Sequence, residues 1–296
     1  MLLSAQDKRA RLASLVRGHE FVVAPGVFEM ISAKLADGMG FHALYMSGYG
    51  IAASHLGLPD AGLASFSEVC DRVRVLASGT QTPLICDADT GFGGLLNVRQ
   101  TVRGFEAAGC AAVQIEDQVS PKKCGYTAGR QVIAVDAMVK KIEVALEARE
   151  DDALLLIART DARAELGLDE AIRRGCAYAG AGADVVFIQG PESIQELEQI
   201  GAAIEAPLLV NLGHGGKTPV VAAKQLAELG YGIAIYPGIA MLAAAAALET
   251  VYATLARDGD STKLSLPRYD FDAMHRLMGF EAVWAFEDRW SPSDEA

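Results

Sequence analysis

Residues 97 to 117 read NVRQTVRGFEAAGCAAVQIED and carry the plan of the whole chain. Asn97 to Ala108 has a helical pattern, Gly109 is a helix stop, and Ala111 to Asp117 is a short apolar run ending in two carboxylates. Working outward, the same phrase recurs at Ala181-Gly182 and Leu229-Gly230. Strands are predicted at Phe21 to Val27, Ala43 to Tyr49, Pro83 to Asp89, Ala111 to Asp117, Leu154 to Asp161, Asp184 to Gln189, Pro207 to Leu212 and Gly232 to Pro237. Most of these runs are continuously apolar, the pattern of parallel strands covered on both faces. Helices are predicted between them over Ser65 to Ala77, Asn97 to Ala108, Asp136 to Arg149, Asp169 to Ala179, Ser193 to Ile204 and Pro219 to Leu229.

Eight strand-then-helix units predict an α/β fold, a closed (β/α)8 TIM barrel, with an open doubly wound sheet as the weaker reading. The expected layout is one barrel domain over 1–296, with 260–296 as a C-terminal helical extension. Tyr269 to Trp290 has helically spaced apolar residues, among them Phe271, Met274, Leu277, Trp284 and Phe286. This stripe lies beyond the eighth unit, so it is read either as packing on another subunit or as capping the barrel bottom.

The chain is 51% hydrophobic and 22% charged, which excludes disordered and fibrous classes. A net charge of −12 argues against a nucleic-acid partner. Five widely spaced cysteines without a CxxC indicate neither a disulfide framework nor a zinc cluster. Met1 to Ser14 carries charges and no apolar core, so no signal peptide is expected and the assigned compartment is the cytoplasm. The uncharged run Tyr231 to Leu248 contains Pro237 and Gly238 and is read as buried strand, turn and buried helix, so no membrane partner is expected.

In such a barrel, catalytic groups stand at the C-terminal ends of the strands. Those ends read Tyr45-Met46-Ser47-Gly48, Asp87-Ala88-Asp89-Thr90-Gly91, Glu116-Asp117, Arg159-Thr160-Asp161 and Asn211-Leu212-Gly213. Asp87 and Asp89 share a strand face, and Glu116 ends the neighbouring strand, so three carboxylates at one rim call for a hard cation, Mg2+ or Mn2+. The segment Pro121-Lys122-Lys123-Cys124-Gly125-Tyr126 then places a cysteine among lysines on a glycine-bearing loop, which favours a thiolate and a mobile lid. Gly215-Gly216-Lys217-Thr218 lacks the first glycine of a phosphate loop, since Val210 stands there, and is set aside.

Taken in order, Tyr45-Met46-Ser47-Gly48, Leu56-Gly57-Leu58-Pro59-Asp60, Asp87-Ala88-Asp89-Thr90-Gly91-Phe92-Gly93, Ile115-Glu116-Asp117-Gln118, Lys122-Lys123-Cys124-Gly125, Ile157-Ala158-Arg159-Thr160-Asp161-Ala162 and Gly216-Lys217-Thr218-Pro219 resemble the isocitrate lyase and phosphoenolpyruvate mutase superfamily. The resemblance covers about residues 20 to 260 and is closest to its methylisocitrate and 2,3-dimethylmalate lyases. It implies a homotetramer with the last helix exchanged between subunits. It also implies one Mg2+ held at Asp87 and Asp89, with Glu116 acting largely through water, and a 2-hydroxy or 2-oxo acid substrate.

By the same resemblance Cys124 is the acid that protonates a departing carbanion, Tyr45 the base for the 2-hydroxyl, and Arg159 a catalytic and carboxylate-binding cation. Ser47, Gly48, Tyr49, Asp60, Lys122, Gly125, Gln189 and Asn211 are the further substrate-binding positions. The activity implied is Mg-dependent carbon–carbon cleavage giving pyruvate or a related 2-oxo acid. Three positions depart from the lyase pattern: Tyr126 where histidine is usual, Gln189 where glutamate is usual, and Gly238 to Leu242 where methylisocitrate lyases carry an arginine. A smaller or more apolar alkylmalate is therefore favoured over methylisocitrate. The rivals are an oxaloacetate decarboxylase or hydrolase, a carboxyphosphonoenolpyruvate mutase-like enzyme, and a non-catalytic barrel that binds 2-oxo acids.

Overall fold

A computed structural model of the protein describes residues 3–125, 127–213 and 215–291. Eight parallel strands close into a barrel in chain order: β1 (Val22–Val27), β2 (Leu44–Met46), β3 (Leu84–Asp87), β4 (Ala112–Glu116), β5 (Leu155–Thr160), β6 (Val185–Ile188), β7 (Leu208–Asn211) and β8 (Tyr231–Tyr236). Closure is made by β1 beside β8, with Val22 opposite Ile233 and Ala24 opposite Ile235. Every predicted strand is present, each within a few residues of its expected limits. The open-sheet alternative is excluded by this closure.

Alternation along the strands explains where the polar groups emerge. Tyr45, Ile85, Ala112, Leu155, Ile157, Val185, Phe187, Leu209, Ile233 and Ile235 form one buried cluster, which Leu12 and Val16 of the N-terminal helix Ala5–Arg17 join. Two residues further along the same strand faces come Ser47, Asp87, Gln114, Arg159, Gln189 and Asn211, so the apolar filling gives way to polar groups at the C-terminal rim. Helices Phe66–Gly79, Leu95–Ala107 and Val135–Ala148 bury Val73, Phe105 and Met138 in the layer outside β2 to β5. Ser65 caps the first of these with a reciprocal Ser65–Glu68 box, which fixes the start that the sequence pattern assigned.

The chain divides into two compact units, residues 1–241 and 242–296. Two helical expectations change. The helix after β8, Ile239–Asp258, was read as buried, but among its residues only Thr254 is, while Leu242, Leu248, Tyr252 and Leu255 are exposed. Ala-rich and apolar all round, it lacks the polar face that would mark its solvent side. By length and composition alone it is also long enough to cross a membrane, a property that core helices of water-soluble proteins share. The tail stripe is two helices, Phe271–Met278 and Phe280–Trp290, broken at Gly279, whose φ of 90° only glycine adopts without strain. Their apolar residues are exposed, Phe271 by 72%, Phe286 by 65% and Trp290 by 66%.

Candidate active site

The rim of β2 to β5 gathers most of the predicted residues. Asp87 ends β3 opposite Gln114, and Glu116 ends β4 opposite Arg159, so register alone sets acid beside amide and acid beside guanidinium. Asp87 accepts from the Gly48 N–H at 3.3 Å through one oxygen, and from the Asp89 N–H and Gln114 Nε2, both at 3.2 Å, through the other. A Cβ placed on Gly48 would lie 3.1 Å from Asp87 Oδ2 and 3.2 Å from Asp89 Oδ1, so the two carboxylates converge on a space that only glycine leaves open. Asp89 itself has a φ of 48°, a left-handed conformation that turns the chain back toward Asp87.

Arg159 is buried and held from three sides. Asp161 grips it with a fork, Nε to Oδ2 at 2.8 Å and Nη2 to Oδ1 at 2.9 Å. Glu116 Oε2 stands 3.1 Å from Nη1, and the Phe187 ring lies 5.2 Å below the guanidinium. Glu116 is fully buried, and among the described residues neither of its oxygens accepts a hydrogen bond. Burial pushes its pKa well up, against the pull of Arg159. Burial likewise pushes Asp89 up to about 6, with Lys122 opposing and Asp87 adding to the rise.

The loop after β4 is latched over this rim. Lys122 Nζ is 2.5 Å from Asp60 and 2.8 Å from Asp89, and the Cys124 N–H donates to the Asp60 carbonyl at 3.0 Å. Gln118 brackets the backbone of Lys123, accepting its N–H and donating to its carbonyl, both at 2.9 Å. Burial works against the Lys122 charge, yet Asp89, Glu116, Asp87 and Asp60 together push its pKa well up. The two lysines thus serve carboxylates and the Gly129 carbonyl, a latching part that the reading of them as thiolate activators missed. Tyr126 lies outside the described residues.

Tyr45 is buried and donates its hydroxyl proton to Gln114 at 3.1 Å. Burial first, and then Asp87, push its phenol well above the ordinary range, against Arg159 and the Gln114 hydrogen bond. Gln189 and Asn211 are buried neighbours, joined at 3.3 Å. Gly125 packs against both ends of the rim: a Cβ there would meet Arg159 Nη2 at 2.5 Å and the Gln189 side chain at 3.1 Å. Ser47 is buried ahead of Gly48, whereas Tyr49 is 45% exposed and, among the described residues, is tied to the carboxylates by no hydrogen bond or ion pair.

Two residues escaped the sequence reading, and a third, Asp161, was placed at the rim without a role. Gln114 links Tyr45 to Asp87, and its signal was a lone amide inside the apolar run Ala111 to Ile115. Asp161 positions Arg159. Arg130, on the loop after β4, is buried and 3.5 Å from Asp161.

The donor set can be tested for a cation. Among the described residues no three acidic, histidine or cysteine side chains form a metal cage by themselves. The hard divalent ion expected here needs only one or two carboxylates plus water and substrate oxygens, which convergent Asp87 and Asp89 supply. Five carboxylates, Asp60, Asp87, Asp89, Glu116 and Asp161, face three cations, Lys122, Arg130 and Arg159, which leaves two negative charges when all are ionised. One dication balances them, and the orphaned oxygens of Glu116 fit the same picture.

A closed parallel barrel with acidic residues at the ends of β3 and β4, and a lysine–cysteine–glycine loop over them, defines a class. The phosphoenolpyruvate phosphomutase family profile matches residues 12–256. The chain belongs to the phosphoenolpyruvate mutase/isocitrate lyase family. It is 40% identical over 282 residues to a 2,3-dimethylmalate lyase of Eubacterium barkeri, covering 95% of this chain and 98% of the relative. Among solved structures, an oxaloacetate acetylhydrolase complexed with 3,3-difluorooxalacetate superposes with a TM-score of 0.90 at 30% identity, over 99% of both chains. A phosphonopyruvate hydrolase complexed with oxalate and Mg2+ gives 0.87 at 32% identity, over 96% of this chain and 99% of the other.

Proposed function

We propose that the protein is a Mg2+-dependent carbon–carbon lyase that cleaves a 2-alkylmalate such as 2,3-dimethylmalate to pyruvate and a monocarboxylic acid. The observation that carries this reading is the latched Lys122-Lys123-Cys124-Gly125 loop above the Asp87, Glu116 and Arg159 rim, together with the 40% identity to a 2,3-dimethylmalate lyase. When bound at Asp87 and Asp89, Mg2+ supplies Lewis-acid charge for the oxygens of the 2-oxo acid end.

The chain's own residues do the rest. Arg159, kept cationic and oriented by Asp161, pairs with the C1 carboxylate, beside the Ser47-Gly48 backbone. The 2-hydroxyl loses its proton to Glu116, which accepts no hydrogen bond among the described residues and has Arg159 Nη1 3.1 Å from Oε2, while Tyr45 stays a donor to the same region. The C2–C3 electron pair then leaves with C3, conjugated to the distal carboxylate, as the C2–O bond becomes a carbonyl. Cys124 gives its thiol proton to C3, so 2,3-dimethylmalate yields pyruvate and propionate with all atoms accounted for. Asp60 and Lys122 hold the loop shut meanwhile and exclude water.

The exposed aromatic residues of 271–290 support assembly by exchange of this segment between subunits of a homotetramer, and we assign the enzyme to the cytoplasm on its cysteine usage. The chemistry is tested through Cys124. In Cys124→Ser, cleavage of an alkylmalate should fall by about 10^2 to 10^4, the usual worth of a positioned proton donor. Decarboxylation of oxaloacetate, whose enolate product solvent can protonate, should change only a few-fold. Equal, small changes in both rates would remove Cys124 from the mechanism and the lyase reading with it.

A further inference from the structure

Between the loops after β4, β6 and β7 lies a cavity of about 420 Å3, lined by Gly125, Thr127, Arg130, Gln189, Lys217 and Thr218 among others. Its volume is that of a small-molecule site. It adjoins the rim where Gly125 and Gln189, two of its walls, back onto Arg159. Arg130 is the unexplained residue there. Its side chain is only 6% exposed, yet Nε and Nη1 have no hydrogen-bond acceptor among the described residues. Among the described residues its one ionic neighbour is Asp161 at 3.5 Å, and both Asp161 oxygens are already taken by the fork of Arg159. A buried guanidinium with idle donors beside a cavity calls for an anion that the described residues do not provide.

Other charges at the cavity are accounted for. Glu192 is paired with Arg163 at 2.8 Å and with Lys217 at 3.0 Å, and Glu165 accepts the Gly129 N–H at 3.1 Å. Lys217, from the glycine-rich segment set aside as a broken phosphate loop, stays 79% exposed at the outer wall. The inner end is left to Arg130, beside neutral Gln189 and the Gly125 backbone.

We propose that Arg130 receives the distal carboxylate of the substrate, the group to which the carbanion is conjugated. This rests on the lyase reading and deepens it: the arginine missing after β8 has a counterpart on the loop after β4. The ligand class is accordingly a dicarboxylate, and the monocarboxylate product leaves from Arg130.

The test is calorimetric and needs no turnover. Propionate is titrated into the full-length protein saturated with Mg2+ and oxalate, for wild type, Arg130→Gln and Arg130→Lys, with melting curves to compare folding. Arg130→Gln should weaken propionate by about 10- to 100-fold, the worth of a charge-assisted pair, and leave oxalate affinity within two-fold. Arg130→Lys, which keeps the charge and loses the fork, should fall between. Unchanged propionate affinity, no propionate binding to wild type, or a parallel loss of oxalate affinity would each overturn the proposal, the last by making Arg130 a prop for Asp161. Should Arg130 prove decisive for propionate while no alkylmalate is cleaved, the lyase reading alone fails.

Discussion

The rim of β3 to β5 and the cavity beside β6 and β7 are built on opposite principles. At the first, charged groups are crowded, buried and mutually fixed: Arg159 is clamped by Asp161 and Glu116, and Lys122 by Asp60 and Asp89. At the second, neutral Gln189 forms part of the wall, Glu192 and Lys217 pair at its outer side, and the buried Arg130 guanidinium has two donor nitrogens without a hydrogen-bond acceptor among the described residues. The first suits a step whose charges never vary, the handling of a 2-oxo acid end. The second suits the part of the substrate that differs from enzyme to enzyme, since small changes in lining residues alter its shape without disturbing the clamp.

That contrast breaks most sharply at Asp87. Asp87→Ala removes half of the convergent pair and should lower turnover by about 10^3-fold or more, with Mg2+ no longer raising the melting temperature. A variant that retains even a tenth of the activity would show that the charged rim is not where the chemistry lies. A second prediction concerns what keeps the rim rigid. Asp117 accepts from Thr160 and Tyr178 at 2.7 Å, from Arg174 at 2.9 Å and from the Asp161 N–H at 3.0 Å, directly beneath Arg159. Asp117→Ala leaves the buried Thr160 and Tyr178 hydroxyls without their acceptor and Arg174 with Glu170 and the Ile133 carbonyl as remaining partners, and about 1–3 kcal/mol of stability should be lost in denaturant titration. A loss under about 0.5 kcal/mol would mean that the Asp117 network does not hold the rim. The smallest effect on the rim is expected from deleting residues 268–296. Oxalate affinity should persist, because all of the rim residues precede 242, while the oligomer dissociates or precipitates. A soluble truncation of unchanged assembly state would contradict helix exchange.

The same contrast separates what was legible in the sequence from what was not. The barrel was legible because parallel strands buried on both faces read as apolar runs, and because glycine stops such as Gly109 and Gly182, with φ of 98° each, punctuate the helices. Asp87, Asp89, Glu116 and Arg159 were legible because polar residues closing apolar runs can only emerge at a rim. The reach of Lys122 to Asp60, 62 positions away, was not, since a loop's fold-over depends on tertiary contacts and leaves no period in the sequence. Arg130 was hidden for the same reason, in a polar loop where charge usually means solvent. The helix predicted from Pro219 begins only at Ala223, after an extended Ala222, and Gly279 marked the break in the tail.

The central claim, that this rim cleaves carbon–carbon bonds of alkylmalates, is tested most directly by pyruvate release. Purified protein is offered 2,3-dimethylmalate, methylisocitrate and oxaloacetate, each with Mg2+ and with excess chelator, and pyruvate and the co-product are quantified. The account predicts equal pyruvate and propionate from 2,3-dimethylmalate, faster than any product from the other two acids, and none in chelator. Turnover of oxaloacetate with no pyruvate from either 2-hydroxy acid, or full activity in chelator, would contradict it.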